Sequence, residues 1–131
     1  MKRERFYRGK RVDGNGWVEG DLVHKYIHHK SGVSIVNGGG CVWHEVIPET
    51  AGQYIGLADV NENEIFEGDI VRAEDHYGFE DIVLKGVVEF KNGSFGVRVN
   101  KTFYKWNNYS AEILGNIHDK PELLEKFTEV A

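Results

Sequence analysis

Apolar and polar residues alternate at a period of two along much of this chain, the spacing of half-buried β-strands. In the second half, Gly86-Val87-Val88-Glu89-Phe90 runs into Lys91-Asn92-Gly93 and then Ser94-Phe95-Gly96-Val97-Arg98-Val99. Asn-Gly is the strongest short hairpin signal, because a type I′ turn needs positive φ at both central residues. Beyond it, Phe95, Val97 and Val99 share one face, while Gly96, Arg98 and Asn100 share the other. In the first half, Tyr26-Ile27 and Val33-Ser34-Ile35-Val36 flank His28 to Gly32 as a longer-looped hairpin. Gly38-Gly39-Gly40 then turns the chain into Cys41-Val42-Trp43-His44-Glu45-Val46-Ile47. Glu112 to Ile117 reads as a strand. Asp119-Lys120-Pro121-Glu122 reads as a helix start, with Asp119 as cap, Pro121 in the first turn and Leu123, Leu124 and Phe127 as the apolar stripe of a short helix over about 120–127.

One pattern occurs twice. Trp17-Val18-Glu19-Gly20-Asp21-Leu22-Val23 returns as Ile65-Phe66-Glu67-Gly68-Asp69-Ile70-Val71, with the two glycines 48 residues apart. Turn-forming clusters precede both copies, Asp13-Gly14-Asn15-Gly16 and Asp59-Val60-Asn61-Glu62-Asn63. The repeat predicts one supersecondary unit used twice. In each copy Glu-Gly-Asp interrupts an apolar run, so Glu19, Gly20 and Asp21 and then Glu67, Gly68 and Asp69 are expected to form structural bends.

Composition narrows the class. The chain has 131 residues, enough for a core that needs no disulfide or metal. Its 16 glycines and 2 prolines suit hairpins and bulges rather than a disordered linker. A single cysteine, Cys41, forms no internal disulfide. There is no apolar stretch of membrane-spanning length and no signal-peptide pattern, so the expectation is a cytoplasmic protein without a membrane partner.

Net charge is −5 and unevenly placed. Lys2, Arg3, Arg5, Arg8, Lys10 and Arg11 face Glu4 alone within residues 1–11, so the rest of the chain carries a net −10. Such an arm is a candidate docking segment against an acidic body, or a strand with exposed cations. A second patch, Lys101-Thr102-Phe103-Tyr104-Lys105-Trp106-Asn107-Asn108-Tyr109, interleaves cations with aromatics. Arg3, Arg5, Phe6, Arg8, Lys10, Arg11, Phe103, Tyr104 and Trp106 are therefore the candidate interaction surface, by the enrichment of aromatics and Arg at interfaces.

Candidate chemistry is thin. Cys41 and His44 have the spacing of a zinc half-site, but side chains three apart on a strand point to opposite faces. His24 and His28 share a strand face yet stand about 13 Å apart at ~3.3 Å per residue. Asp59, Asn61 and Asn63 imitate a calcium loop that then lacks its Gly and its final Glu. Glu19 with Asp21, and Glu67 with Asp69, lie roughly 6.6 Å apart along a strand, within the separation of an inverting glycosidase pair. A duplicated bend explains them without a reaction. No catalytic, metal or cofactor residue is assigned, and no cofactor is expected.

The motifs resemble the YopX family, encoded largely by phages and prophages of Gram-positive bacteria. The matching segments are Phe6-Tyr7-Arg8-Gly9-Lys10-Arg11, Trp17-Val18-Glu19-Gly20, Val46-Ile47-Pro48-Glu49-Thr50, Gly52-Gln53-Tyr54-Ile55-Gly56-Leu57 and Ile65-Phe66-Glu67-Gly68-Asp69-Ile70-Val71. Gly93-Ser94-Phe95 and Gly115-Asn116-Ile117-His118-Asp119-Lys120-Pro121-Glu122-Leu123-Leu124 extend the match to the tail. The resemblance implies an all-β, barrel-like fold with a small helix and a phage or prophage origin, and supplies no activity.

The expected architecture is all-β: two small SH3-like barrel or half-barrel units related by duplication, over residues 1–57 and 58–131, packed as one chain with a short C-terminal helix. The expected function is a non-enzymatic protein-interaction module that self-associates as a homo-oligomer and has a phage or host protein as a further partner. The alternative is a small barrel binding single-stranded nucleic acid. An enzyme using the paired carboxylates ranks third.

Overall fold

Asn92 and Gly93 both take positive φ, 52° and 83°, and close a two-residue hairpin in which Lys91 faces Ser94. That hairpin sits in a computed structural model describing residues 6–75, 82–107 and 109–124. The chain forms two compact units, Met1–Tyr54 and Ile55–Ala131.

Unit 1 is built from β1 (Phe6–Lys10), β2 (Trp17–His24), β3 (Val33–Asn37), β4 (Val42–Glu45), a 3₁₀ turn (Pro48–Thr50) and the start of β5 (Gly52–Ala58). These strands pair antiparallel in the order β4-β3-β2-β1-β5. β3 is buried on both faces through Ser34, Ile35 and Val36. Thr50 anchors the 3₁₀ turn: its hydroxyl donates to the Ile47 carbonyl at 2.6 Å and accepts the Lys10 N–H at 2.8 Å. Gly9 lies so close to Val46 that a Cβ there would meet its side chain at 2.9 Å.

Unit 2 holds β6 (Glu64–Phe66), which follows β5 in the first sheet's order, and a second antiparallel sheet. The second sheet contains β7 (Asp69–Asp75), β8 (Ile82–Lys91), β9 (Ser94–Val99), β10 (Thr102–Lys105) and β11 (Ser110–Asn116), ordered β10-β9-β8-β7-β11. One face buries Val71, Ala73, Leu84, Val88, Val97 and Ala111 with Ile65, and Val99, Trp106 and Ile113 pack against them. A bulge between Ile113 and Gly115 bends β11. The helix is one turn over residues 122–124. Leu123 packs over Gly115, where a Cβ would come within 2.8 Å of it. The rest of the expected helix, including Phe127, lies outside the described residues.

Two expectations are corrected. Among the described residues neither sheet closes into a barrel, because each sheet ends in edge strands that do not pair with one another. The repeated motif also takes two different conformations. Trp17 to Val23 lies within the single strand β2, without the bend expected at Glu19, Gly20 and Asp21. Gly20 serves close strand packing there, since a Cβ would meet the Val36 carbonyl oxygen at 2.2 Å. In the second copy Glu67 and Gly68 form a turn between β6 and β7, with Gly68 at φ 90°. Asp69 is buried, and its carboxylate accepts the Phe66 N–H at 2.8 Å. Similar residues follow different neighbours because tertiary pairing overrides local preference in short strands.

Candidate interaction surfaces

β1 carries Arg8 and Lys10 of the basic segment, with Arg11 just beyond its end, and it is an inner strand, not an arm. It pairs with β2 on one side and β5 on the other. Phe6 is buried and meets Tyr54 edge to face, with centroids 5.9 Å apart. The Arg8 guanidinium stands 4.8 Å from the centre of the Trp17 ring, a cation–π arrangement, and Arg8 is the cross-strand partner of Glu19. Lys10 is the cross-strand partner of Trp17. Arg11 pairs with Asp13 at 2.5 Å. The Asn15 N–H donates to the Asp13 carboxylate at 2.9 Å; this bond, joined by Arg11, outweighs partial desolvation and holds Asp13 below the ordinary carboxylate range. Arg3 and Arg5 lie outside the described residues.

The second aromatic patch divides. Trp106 packs against the core of unit 2 and meets Tyr109 with centroids 5.4 Å apart. Phe103 and Tyr104 alternate to opposite faces of β10. Phe103 is the partner of Arg98 and lies over Gly96, where a Cβ would meet its ring at 2.5 Å. Tyr104 is the partner of Val97 and is 40% exposed. Phe90 and Phe95, cross-strand partners with centroids 4.9 Å apart, share the Tyr104 face, and Phe90 is 52% exposed. Lys91 shares the Phe103 face, its Nζ 6.0 Å from that ring. Phe90 and Lys91 were legible in the hairpin alternation once Asn92-Gly93 set the register.

Unit 1 has an aromatic cluster that composition did not reveal. Tyr26, in the β2–β3 loop, stacks on Trp43 of β4 with centroids 4.2 Å apart and planes at 27°. His28 and His29 meet Tyr26 edge on, at 5.2 and 5.0 Å. The His29 Nδ1 lies 2.6 Å from the Ser34 hydroxyl, and Ser34 is fully buried, so its oxygen is closed to substrate. The Ser31 N–H donates to a Glu45 carboxylate oxygen at 2.8 Å. This loop is ordered by contacts with β3 and β4 that residue spacing does not encode.

The family model described as YopX protein matches residues 6–125. The chain belongs to the YopX family. No curated protein matches it. Within this YopX chain the two acidic pairs differ in setting: Glu19 and Asp21 are exposed on β2, whereas Asp69 is buried in the β6–β7 turn. Among the described residues no group of three His, Cys, Asp or Glu side chains is placed to hold a metal ion. No helix among them is long and apolar enough to cross a membrane. The loop that imitates a calcium site is a turn, in which Asp59 accepts the N–H groups of Asn61, Asn63 and Ile113 at 2.9, 2.8 and 3.1 Å.

The edges complete the YopX surfaces. Just past β4 the Val46 N–H donates to the Val33 carbonyl, so by the antiparallel alternation Val42 and His44 bond inward while Trp43 and Glu45 point outward. The outward Glu45 carbonyl accepts the Val12 N–H at 3.2 Å. Just past β10 the Trp106 N–H donates to the Phe95 carbonyl, so Thr102 and Tyr104 bond inward and Phe103 and Lys105 point outward. The outer side of β11, by contrast, is covered: Val60 donates to the Ala111 carbonyl at 2.9 Å, and Ile113 donates to Asp59.

Proposed function

We propose that this protein is a non-enzymatic protein-interaction module, a phage or prophage accessory acting in the cytoplasm, that binds partners through the edge strands of its sheets and self-associates through β4. One observation carries the reading. β4 and β10 are each four residues long, and each combines an outward backbone with an exposed aromatic, Trp43 at 37% and Tyr104 at 40%. An uncovered strand edge is a ready template for another chain; on β4 the uncovered part centres on Trp43, since the Glu45 carbonyl already accepts the Val12 N–H. Antiparallel pairing of β4 with its own copy about Trp43 sets Val42 against His44 and Trp43 against Trp43, with no like charges opposed.

Light scattering across a concentration series tests self-association. A dimer that Trp43→Lys converts to monomer supports it, since an edge Lys blocks strand pairing. A monomer at every concentration overturns the self-association reading.

Single-stranded nucleic acid is the competing partner. A stacking platform sets cations beside exposed rings. Here the exposed rings, Phe90 and Tyr104 with Phe95 beside them, occupy one face of the sheet, while Lys91 and Lys105 lie on the other with the half-buried Phe103. That division favours a protein strand over a polynucleotide.

A further inference from the structure

We infer that the β10 edge receives an extended acidic segment of a partner protein in which apolar and acidic residues alternate. This rests on the interaction-module reading and names the partner of one of its edges.

The recognition has two parts. The backbone part is Phe103, whose N–H and C=O point away from β9 by the ladder alternation and meet no backbone partner among the described residues. The loop that covers the opposite edge, on β11, has no counterpart here among the described residues. An added strand sends alternate side chains to the two faces of the sheet. On one face they meet Tyr104, with Phe90 and Phe95 behind it. On the other they meet Lys105 and Phe103, with Lys91 reaching toward the Phe103 ring across Gly96. Lys101, exposed in the β9–β10 turn, adds a further cation at the end of the strand. Glu89, the acid on the lysine face of β8–β10, is bound to Arg98 at 2.6 Å, which leaves the lysines as the uncompensated charge at this edge among the described residues. The fitting segment is therefore apolar toward Tyr104 and acidic toward Lys91 and Lys105.

A second copy of β10 is the wrong occupant. Antiparallel pairing of Lys101-Thr102-Phe103-Tyr104-Lys105 with itself sets Lys101 against Lys105 twice, and like charges directly opposite are destabilising. Lysine on an edge strand is also the common protection against self-pairing.

The test uses the full chain and fluorescence anisotropy with labelled peptides of about eight residues, slightly more than an average strand. One alternates Val or Tyr with Glu, a second has Lys for each Glu, and a third is a scramble of the first. Short single-stranded DNA and RNA form the remaining arms. The alternating acidic peptide is expected to bind, and the other two peptides to bind about tenfold weaker or less. The doubly substituted chain Lys101→Glu, Lys105→Glu changes exposed residues only. It is expected to lose the acidic peptide and gain the lysine peptide. Equal binding of the scramble, no binding of the acidic peptide, or tighter binding of the oligonucleotides each overturns the inference. If the peptides fail while Trp43→Lys still dissolves a dimer, only the β10 inference falls. If the chain is also monomeric throughout, the module reading falls with it.

Discussion

The Asp59 carboxylate accepts the Ile113 N–H at 3.1 Å across 54 residues of chain. Its other oxygen takes the N–H groups of Asn61 and Asn63. One buried side chain thus closes a turn and fastens it along the outer side of β11. Asp59→Ala leaves those donors unsatisfied and is expected to cost about 2–4 kcal/mol in urea unfolding, with Asp59→Asn retaining part of it. A loss below ~0.5 kcal/mol, within the range of an ordinary surface substitution, contradicts this role.

The same contact predicts an acid-labile element. Burial pushes the Asp59 carboxyl up, but the N–H groups of Asn63, Ile113 and Asn61 outweigh it and hold the group below its ordinary value of 3.8. Its contribution to stability is complete above that unfolded value and is lost as pH falls through the lowered folded one. Unfolding curves collected downward from pH 5 are expected to separate wild type from Asp59→Asn above the transition and to converge below it. Parallel curves throughout would show that Asp59 does not titrate with folding.

The two glycines of the repeated motif are expected to fail differently. Gly68→Ala forces an L-residue to φ 90°, a strain of about 1–2 kcal/mol. Gly20→Ala drives a Cβ against the Val36 carbonyl, which must move and loosen the β2–β3 pairing. Hydrogen exchange reads the difference: amides of β3 lose protection in Gly20→Ala and keep it in Gly68→Ala.

Gly96→Ala should act on β10. A Cβ there meets the Tyr104 carbonyl oxygen at 2.4 Å and the Phe103 ring at 2.5 Å. The expected result is selective loss of exchange protection at Tyr104, with β7 and β8 amides unchanged. Uniform loss across the sheet would mean that β10 is not separable from the unit's core.

Arg8 and Arg11 serve unit 1 internally, so Arg8→Ala is expected to cost about 0.5–1 kcal/mol by loss of the contact with Trp17. Arg11→Ala should cost less, as its pair with Asp13 is exposed. Neither is expected to alter the oligomeric state seen by light scattering. A shift to monomer in Arg11→Ala would restore the basic segment as a docking surface.

Local information determined much of this protein. The Asn92-Gly93 hairpin, the alternation through Val97 and Val99, the strand ending near Asn116 and the membership of a β family all depend on period-two patterning and turn chemistry, which act between near neighbours in the chain. Tertiary structure decided the rest, because strand pairing is a choice among distant segments. It made Phe6 to Lys10 an inner strand, straightened one copy of the repeated motif while turning the other, and left both sheets open among the described residues. It also set Lys91 beside the Phe103 ring and brought Tyr26 onto Trp43. The residues that neighbour a side chain across a sheet are set by register over tens of residues, and no local spacing carries that number.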